Sequence, residues 1–292
     1  IKEEIENFVN KITASGYLLH TYRDSSRSYA VIAMDYVESE VGESNGGTGK
    51  SIEGKANAEL LNTFFLDGKK RNMFDNDHLY HGIDERTDLV LIDDVRMGFD
   101  FENLYPFITG VLVVNPKGQA PFTIPSKDVP KIYVSTNHAI RGNGSSDERR
   151  QFLTSFSDYY HKERTPFDEF GRSLLSPEWG WDQWNYFYNL KAISIQNYLK
   201  FGKVEANSVR LQRRRLRQEM GEVFLNFADT YFDDSFNINR EIARKDFENS
   251  FKDNLRIHEL KIYTAFKIKK CLKMFCKYKG YAFNHDKVDP KT

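Results

Sequence analysis

Gly42-Glu43-Ser44-Asn45-Gly46-Gly47-Thr48-Gly49-Lys50-Ser51 is the stretch on which the reading of this chain turns. It follows an apolar segment, Tyr29–Val37, and opens a helical pattern running from Ser51 to Phe65. Phosphate groups need several backbone N–H donors aimed at them. Glycines let a chain curl that tightly, and a helix starting at Ser51 adds the positive end of its dipole. Residues Ser44, Asn45, Gly46, Gly47, Thr48 and Gly49 would form the cradle. Lys50 would reach the β- and γ-phosphates, and the Ser51 hydroxyl would ligate Mg²⁺. ATP and Mg²⁺ are the ligands this implies. Ser44 stands where the usual pattern has its first glycine.

Outward from the loop, three further segments end in polar side chains. Asp88–Asp94 (DLVLIDD) is a continuous apolar run closed by two acids, as in a buried parallel strand. Its Asp93 lies 43 residues beyond Lys50. Asp93 would hold Mg²⁺ through water and Asp94 would polarise an attacking water, at the strand end that faces a ligand crevice. Lys131–Ser135 (KIYVS) is a second buried strand, ended by Thr136-Asn137. An amide there can touch the γ-phosphate or the lytic water, although a lone Asn is more often a turn former. Arg149-Arg150 can neutralise transition-state charge, in cis or from a neighbouring subunit. An Arg pair in a charged segment is more often simply solvated. Val111–Val114 and Phe122–Ile124 flank Asn115-Pro116-Lys117-Gly118 and read as a β-hairpin.

Strands alternating with helices argue an α/β domain with a mostly parallel sheet. The 292 residues suit one large domain plus an accessory one. With 40% hydrophobic and 29% charged residues the composition is that of an ordinary globular protein. No run approaches a membrane span, so no membrane partner is expected, and the low cysteine count fits a reducing, cytoplasmic setting. Cys271 and Cys276 are too few for a disulfide framework or a Cys-rich zinc site. The chain opens IKEEIENF without methionine, which suggests a piece of something longer. Net charge is zero, but residues 1–202 hold 22 basic and 29 acidic groups while 203–292 hold 20 and 13. The basic end is therefore C-terminal. There, Ser208–Tyr231 and Glu259–Tyr278 read as helices, and Tyr281–Phe283 as a short strand. Arg210, Arg213, Arg214, Arg215 and Arg217, with the lysines of Lys267–Lys279, suggest either a nucleic-acid-binding surface or a solvated face. At the other end, Ile1, Ile5, Phe8, Val9 and Ile12 predict an amphipathic helix over 1–13, and Gly16–Ser28 a connector. His78 and His81 lack further ligands and read as surface histidines. Trp179, Trp181, Trp184 and neighbouring aromatics read as packing surface rather than base-stacking groups.

The order of these motifs, GTGKS, LIDD, a hairpin carrying Lys117, STN and then RR, resembles the superfamily-3 helicases, and within them the helicase modules of phage and plasmid primase-helicases. The resemblance spans roughly residues 30–202 and takes in the Trp179–Gly202 stretch as the helical segment closing the core. It implies an AAA+-like P-loop NTPase core over 27–202, preceded by a helix and connector over 1–26. A smaller, mainly helical, winged-helix-like domain would cover 203–292. It also implies a ring homo-oligomer, usually a hexamer, with ATP between subunits and Arg149 or Arg150 supplied by the neighbour. Lys117 would grip single-stranded DNA, or one arm of a forked duplex, in the channel, and a primase region could lie upstream. Two other functions fit the same motifs. One is a different AAA+ ATPase, such as a loader or packaging motor. The other is a replication-initiation module that binds nucleotide and DNA without unwinding.

Overall fold

The computed structural model describes residues 2–35, 47–96, 99–138, 147, 149–205, 216–217, 219–233, 237 and 240–283. The chain divides into two compact units, Ile1–Arg210 and Leu211–Thr292.

Among the described residues the first unit has seven strands: β1 (Ala30–Asp35), β2 (Thr63–Asp67), β3 (Leu89–Val95), β4 (Leu112–Val114), β5 (Phe122–Ile124), β6 (Lys131–Thr136) and β7 (Gln151–Phe156). Five of them form one sheet in the order β2-β3-β6-β1-β7, with every pairing parallel. β4 and β5 pair antiparallel as a separate hairpin. The helices are α1 (Lys2–Leu19), α2 (Lys50–Ala58), α3 (Tyr105–Thr109), α4 (Pro166–Phe170) and α5 (Trp181–Phe201). The expected mixed α/β unit with a mostly parallel sheet is present. Strands buried on both faces need apolar residues at every position. This is why Ala30–Ala33 and Leu89–Ile92 run without polar interruption. Val31, Ala33, Leu89, Leu91, Tyr133 and Phe152 line one face and pack under Ala14, Tyr17 and Leu18 of α1. α2 lies so close to this face that a Cβ on Gly54 would fall 2.8 Å from the Tyr133 ring.

Several expected boundaries move. α1 does not stop before Gly16 but continues to Leu19. Gly16 is where α5 crosses: an added Cβ would sit 2.0 Å from the Ser194 carbonyl oxygen. Glycine here permits close helix packing and does not end the helix. Burial on α1 is also shifted along the helix from the expected stripe, toward its C-terminal half, where every residue from Ile12 to Leu19 is buried. Asn10, Thr13, Ala14, Tyr17 and Leu18 are buried, whereas Ile5 and Phe8 are exposed. Asn10 is tolerated inside because its amide donates to the Leu153 and Val204 carbonyls. The helix expected over Ser51–Phe65 ends at Ala58, and Thr63–Asp67 is the edge strand β2. β7 follows the arginine pair directly, a strand that the charged context conceals. A buried ammonium ties three helices together. Lys191 of α5 donates to Ser15 Oγ of α1 (2.9 Å) and Asn57 Oδ1 of α2 (2.8 Å), and burial lowers its pKa.

The second unit contains α6 (Glu222–Asp233), α7 (Arg244–Asp253), α8 (Ile257–Leu260) and α9 (Ala265–Lys279). Phe224, Phe247, Phe251, Tyr263, Ile268 and Phe275 form its core. Cys271 and Cys276 are free and buried there, and burial pushes the Cys271 thiol up to about 11, which leaves it unreactive. The helix expected from Ser208 is interrupted at Gly221, whose φ of 84° no side-chain-bearing residue takes easily. Residues 281–283 are not a strand. Among the described residues this unit has no strand, so the winged-helix expectation lacks the strands that would support it.

Candidate active site

Odd-numbered positions of β1, β3 and β6 face α2, and the period-2 register carries that alternation to the C-terminal edge of the sheet. It ends there in Asp35, Asp93 and Ser135. β6 lies between β1 and β3, so its end stands between the strand preceding the glycine loop and the strand carrying the acids.

The first turn of α2 enters this edge. Gly47 and Gly49 have φ of 92° and 101°, left-handed conformations suited to glycine. Ser44, Asn45 and Gly46 lie outside the described residues. Tyr133, buried so deeply that its pKa is raised well above the ordinary value, donates its hydroxyl to the Lys50 carbonyl at 2.6 Å. A core side chain thereby fixes the start of the helix. Lys50 is buried, and its ammonium pairs with the Asp35 carboxylate. Thr48 Oγ1 donates to the same Asp35 oxygen at 2.6 Å, and Lys50 donates to Thr48 at 3.0 Å.

Beside them, Ser51 Oγ donates to Asp93 Oδ1 at 2.9 Å, and Ser135 Oγ donates to the same oxygen. The acids do not end β3 as expected; they sit in a β-bulge. Ile92 pairs with Val134 and Val95 with Thr136, so Asp93 and Asp94 together oppose Ser135. Asp94 takes φ of 54°, and its N–H donates to Ser135 Oγ at 2.8 Å. A regular strand would send consecutive side chains to opposite faces. The bulge re-aims Asp94. Asn137 Nδ2 then donates to Asp94 Oδ1 at 3.2 Å, and Lys69 Nζ lies 2.6 Å from Asp94 Oδ2. The hydrogen bond to Asp94 raises the Lys69 pKa. Gly68 closes the bulge from the β2 side: its N–H donates to the Asp93 carbonyl at 2.8 Å.

Lys50, Ser51, Asp93, Asp94 and Asn137 therefore converge. Lys117 does not join them; it is exposed on the seven-residue loop between β4 and β5. Nor do Arg149 and Arg150. They precede β7 at its N-terminal edge, where Arg150 O accepts from Ala30 N. β1 runs from Ala30 to Asp35, so roughly 17 Å of strand separates that edge from the loop. Neither arginine can serve the site of its own sheet. The two also differ: the Arg150 guanidinium lies 4.4 Å over the Tyr105 ring, while Arg149 is exposed. Asp35, Lys69 and Ser135 were not anticipated. Asp35 does carry a legible sign, since it closes an apolar strand as Asp93 closes LVLI. His78 instead contacts the Asn115 carbonyl through Nδ1 at 2.8 Å, and no group of three metal-ligating side chains occurs among the described residues.

No protein-family model matches the chain, and no curated protein matches it. It is similar to solved structures of the NrS-1 C-terminal region in apo form. The first has 12% identity and a TM-score of 0.47, covering 97% of this chain and 64% of that one. Two others have 13% identity and TM-scores of 0.40, covering 96% and 97% of this chain and 63% and 64% of theirs. The chain thus spans less than two thirds of the structures it resembles. At these values the likeness carries no argument about the site. Among the described residues, no helix is long and apolar enough to cross a membrane.

Proposed function

We propose that the first unit is an AAA+-like ATPase core and that the protein is a superfamily-3-type motor, moving on single-stranded nucleic acid in phage- or plasmid-type replication. One observation carries this reading. A helix-opening Lys-Ser pair lies beside two carboxylates and an amide, supplied by two other strands at the same sheet edge.

The residues fit Mg²⁺ with a triphosphate. The Ser51 hydroxyl and the Asp93 carboxylate are hard oxygen donors 2.9 Å apart, the donor type Mg²⁺ takes through itself or its waters. Mg²⁺, when bound, would neutralise charge on the β- and γ-phosphates. The chain's own groups do the rest. The Lys50 ammonium leaves Asp35 for phosphate oxygens. The Asp94 carboxylate, held by Asn137 and Lys69, accepts a proton from the attacking water, and Asn137 orients that water or the γ-phosphate. An arginine from a neighbouring copy completes the charge balance. Arg149 is the better candidate, because Arg150 packs on Tyr105. A ring of copies, of which a hexamer is the usual form, would bring the exposed Lys117 hairpins to a central channel, where they contact backbone phosphate without regard to sequence.

The test is ATP turnover with and without single-stranded DNA, together with particle size. Turnover that rises with DNA in an oligomer is expected, and Lys117→Ala should keep basal turnover but lose the stimulation. Nucleotide binding without hydrolysis, even with Mg²⁺ and DNA, would overturn the motor.

A further inference from the structure

α9 reads AFKIKKCLKMFCKYK, six lysines and no acid in fifteen residues. Its buried stripe is Ile268, Cys271, Leu272, Phe275 and Cys276. The opposite stripe is Phe266, Lys269, Lys270, Lys273 and Lys277, all exposed. Lys267 lies over the Tyr263 ring and Lys279 pairs with Asp229 at 2.8 Å, so two of the six ammonium groups are satisfied within the unit. Among the described residues no ion pair engages the other four. Like charges three or four positions apart on a helix repel and destabilise it. Lys269–Lys273, Lys270–Lys273 and Lys273–Lys277 are three such pairs.

A cavity of about 310 Å³ opens beside this stripe, lined by Lys273, Met274, Lys277, Tyr281 and Phe283. Its lining is mostly apolar, with two aromatic rings and a methionine, and Lys273 and Lys277 supply the charge. Tyr281 remains partly exposed while its ring is held 5.7 Å from Phe232.

We infer that this face of α9 is a binding site for single-stranded nucleic acid, separate from the ATP site and from Lys117. Lys269, Lys273 and Lys277, four residues or about 6 Å apart along the helix, contact successive backbone phosphates, with Lys270 beside them. The cavity receives an unpaired base against Tyr281. A duplex keeps its bases stacked inside and leaves the cavity unused, and a membrane surface needs the apolar side chains on the outer stripe, where only Phe266 is present. Phosphate contact by lysine and stacking on an aromatic ring are both indifferent to sequence.

The test is fluorescence anisotropy of labelled oligo-dT, oligo-U and a blunt duplex with the full chain carrying Lys50→Ala and Lys117→Ala, without nucleotide. Binding then reports on α9 whether or not the ATPase reading holds. Co-sedimentation with vesicles of phosphatidylserine and phosphatidylcholine runs alongside. Single strands are expected to bind more tightly than duplex, with DNA and RNA distinguished by the two oligomers. Changing Lys269, Lys270, Lys273 and Lys277 to Gln should lower the slope of log affinity against log salt by about one for each phosphate the chain no longer neutralises. Tyr281→Ala should weaken binding by roughly five- to a hundredfold with an unchanged salt slope, and Tyr281→Phe should restore it. Circular dichroism melting verifies that the variants fold. Unchanged affinity in the folded four-lysine variant, equal preference for duplex, or binding to vesicles but not to oligonucleotides would each overturn the assignment.

Discussion

The Lys50 ammonium pairs with the Asp35 carboxylate, and on the proposed reading it exchanges that partner for the phosphates of a nucleotide. The pair with Asp35 is buried, so it is little screened by salt. Asp35→Asn keeps an oxygen for Thr48 while removing the competing charge. We expect this variant to bind ATP about tenfold more tightly, near 1.4 kcal/mol, and to melt at lower temperature because Lys50 loses its counter-ion. Calorimetric titration and a thermal melt measure the two effects. Lys50, Ser51, Asp93, Asp94 and Asn137 were readable because each belongs to a short local pattern. Ser135 and Lys69 were not, since their importance comes from strand register: Ser135 is the single residue opposite two acids, and Lys69 reaches Asp94 from a turn after another strand.

Among the elements, the β3 bulge is the one whose shape the proposed chemistry requires. Gly68 supports it from the neighbouring turn, and a Cβ there would lie 2.7 Å from the Asp93 carbonyl oxygen and 2.8 Å from Val95 Cα. Both are backbone atoms and cannot rotate away. Gly68→Ala is expected to cost about 1–3 kcal/mol in urea denaturation and to lower ATP turnover by displacing Asp94. At the end of α1, burial and then the Lys131 charge push the His20 imidazole down to about 4. In the unfolded chain it titrates near 6.5. The stability this contributes is complete above about pH 6.5 and is lost as pH falls toward 4. The wild type should therefore lose about 1–2 kcal/mol more than His20→Gln over that window, allowing for partial solvent screening, as read by denaturation at a series of pH values. Element identity was legible wherever burial dictated composition, as in β1, β3 and β6. It failed where context prevailed: Gly16 sits mid-helix because α5 needs the space, and β2, half-exposed at the sheet edge, carries no clean alternation.

At the scale of the molecule, the arginine pair and the glycine loop occupy opposite edges of one sheet. On the proposed reading, an arginine that completes the site then comes from a second copy. Arg149→Ala and Lys50→Ala should each abolish turnover alone. Mixed, they should regain part of it, because an intact loop can meet an intact Arg149 across a junction. Turnover measured over a series of mixing ratios checks this, and failure to recover in a verified mixed oligomer would refute supply from a neighbour.

The Lys50–Asp35 pair also sets a threshold. A monovalent anion offers the lysine no more charge than the carboxylate already fixed beside it, and so has little reason to displace that carboxylate. A polyphosphate brings several anionic oxygens at once and can. On that reading, discrimination against chloride and other small monovalent anions would originate in the last residue of β1, before the glycine loop has made a single contact.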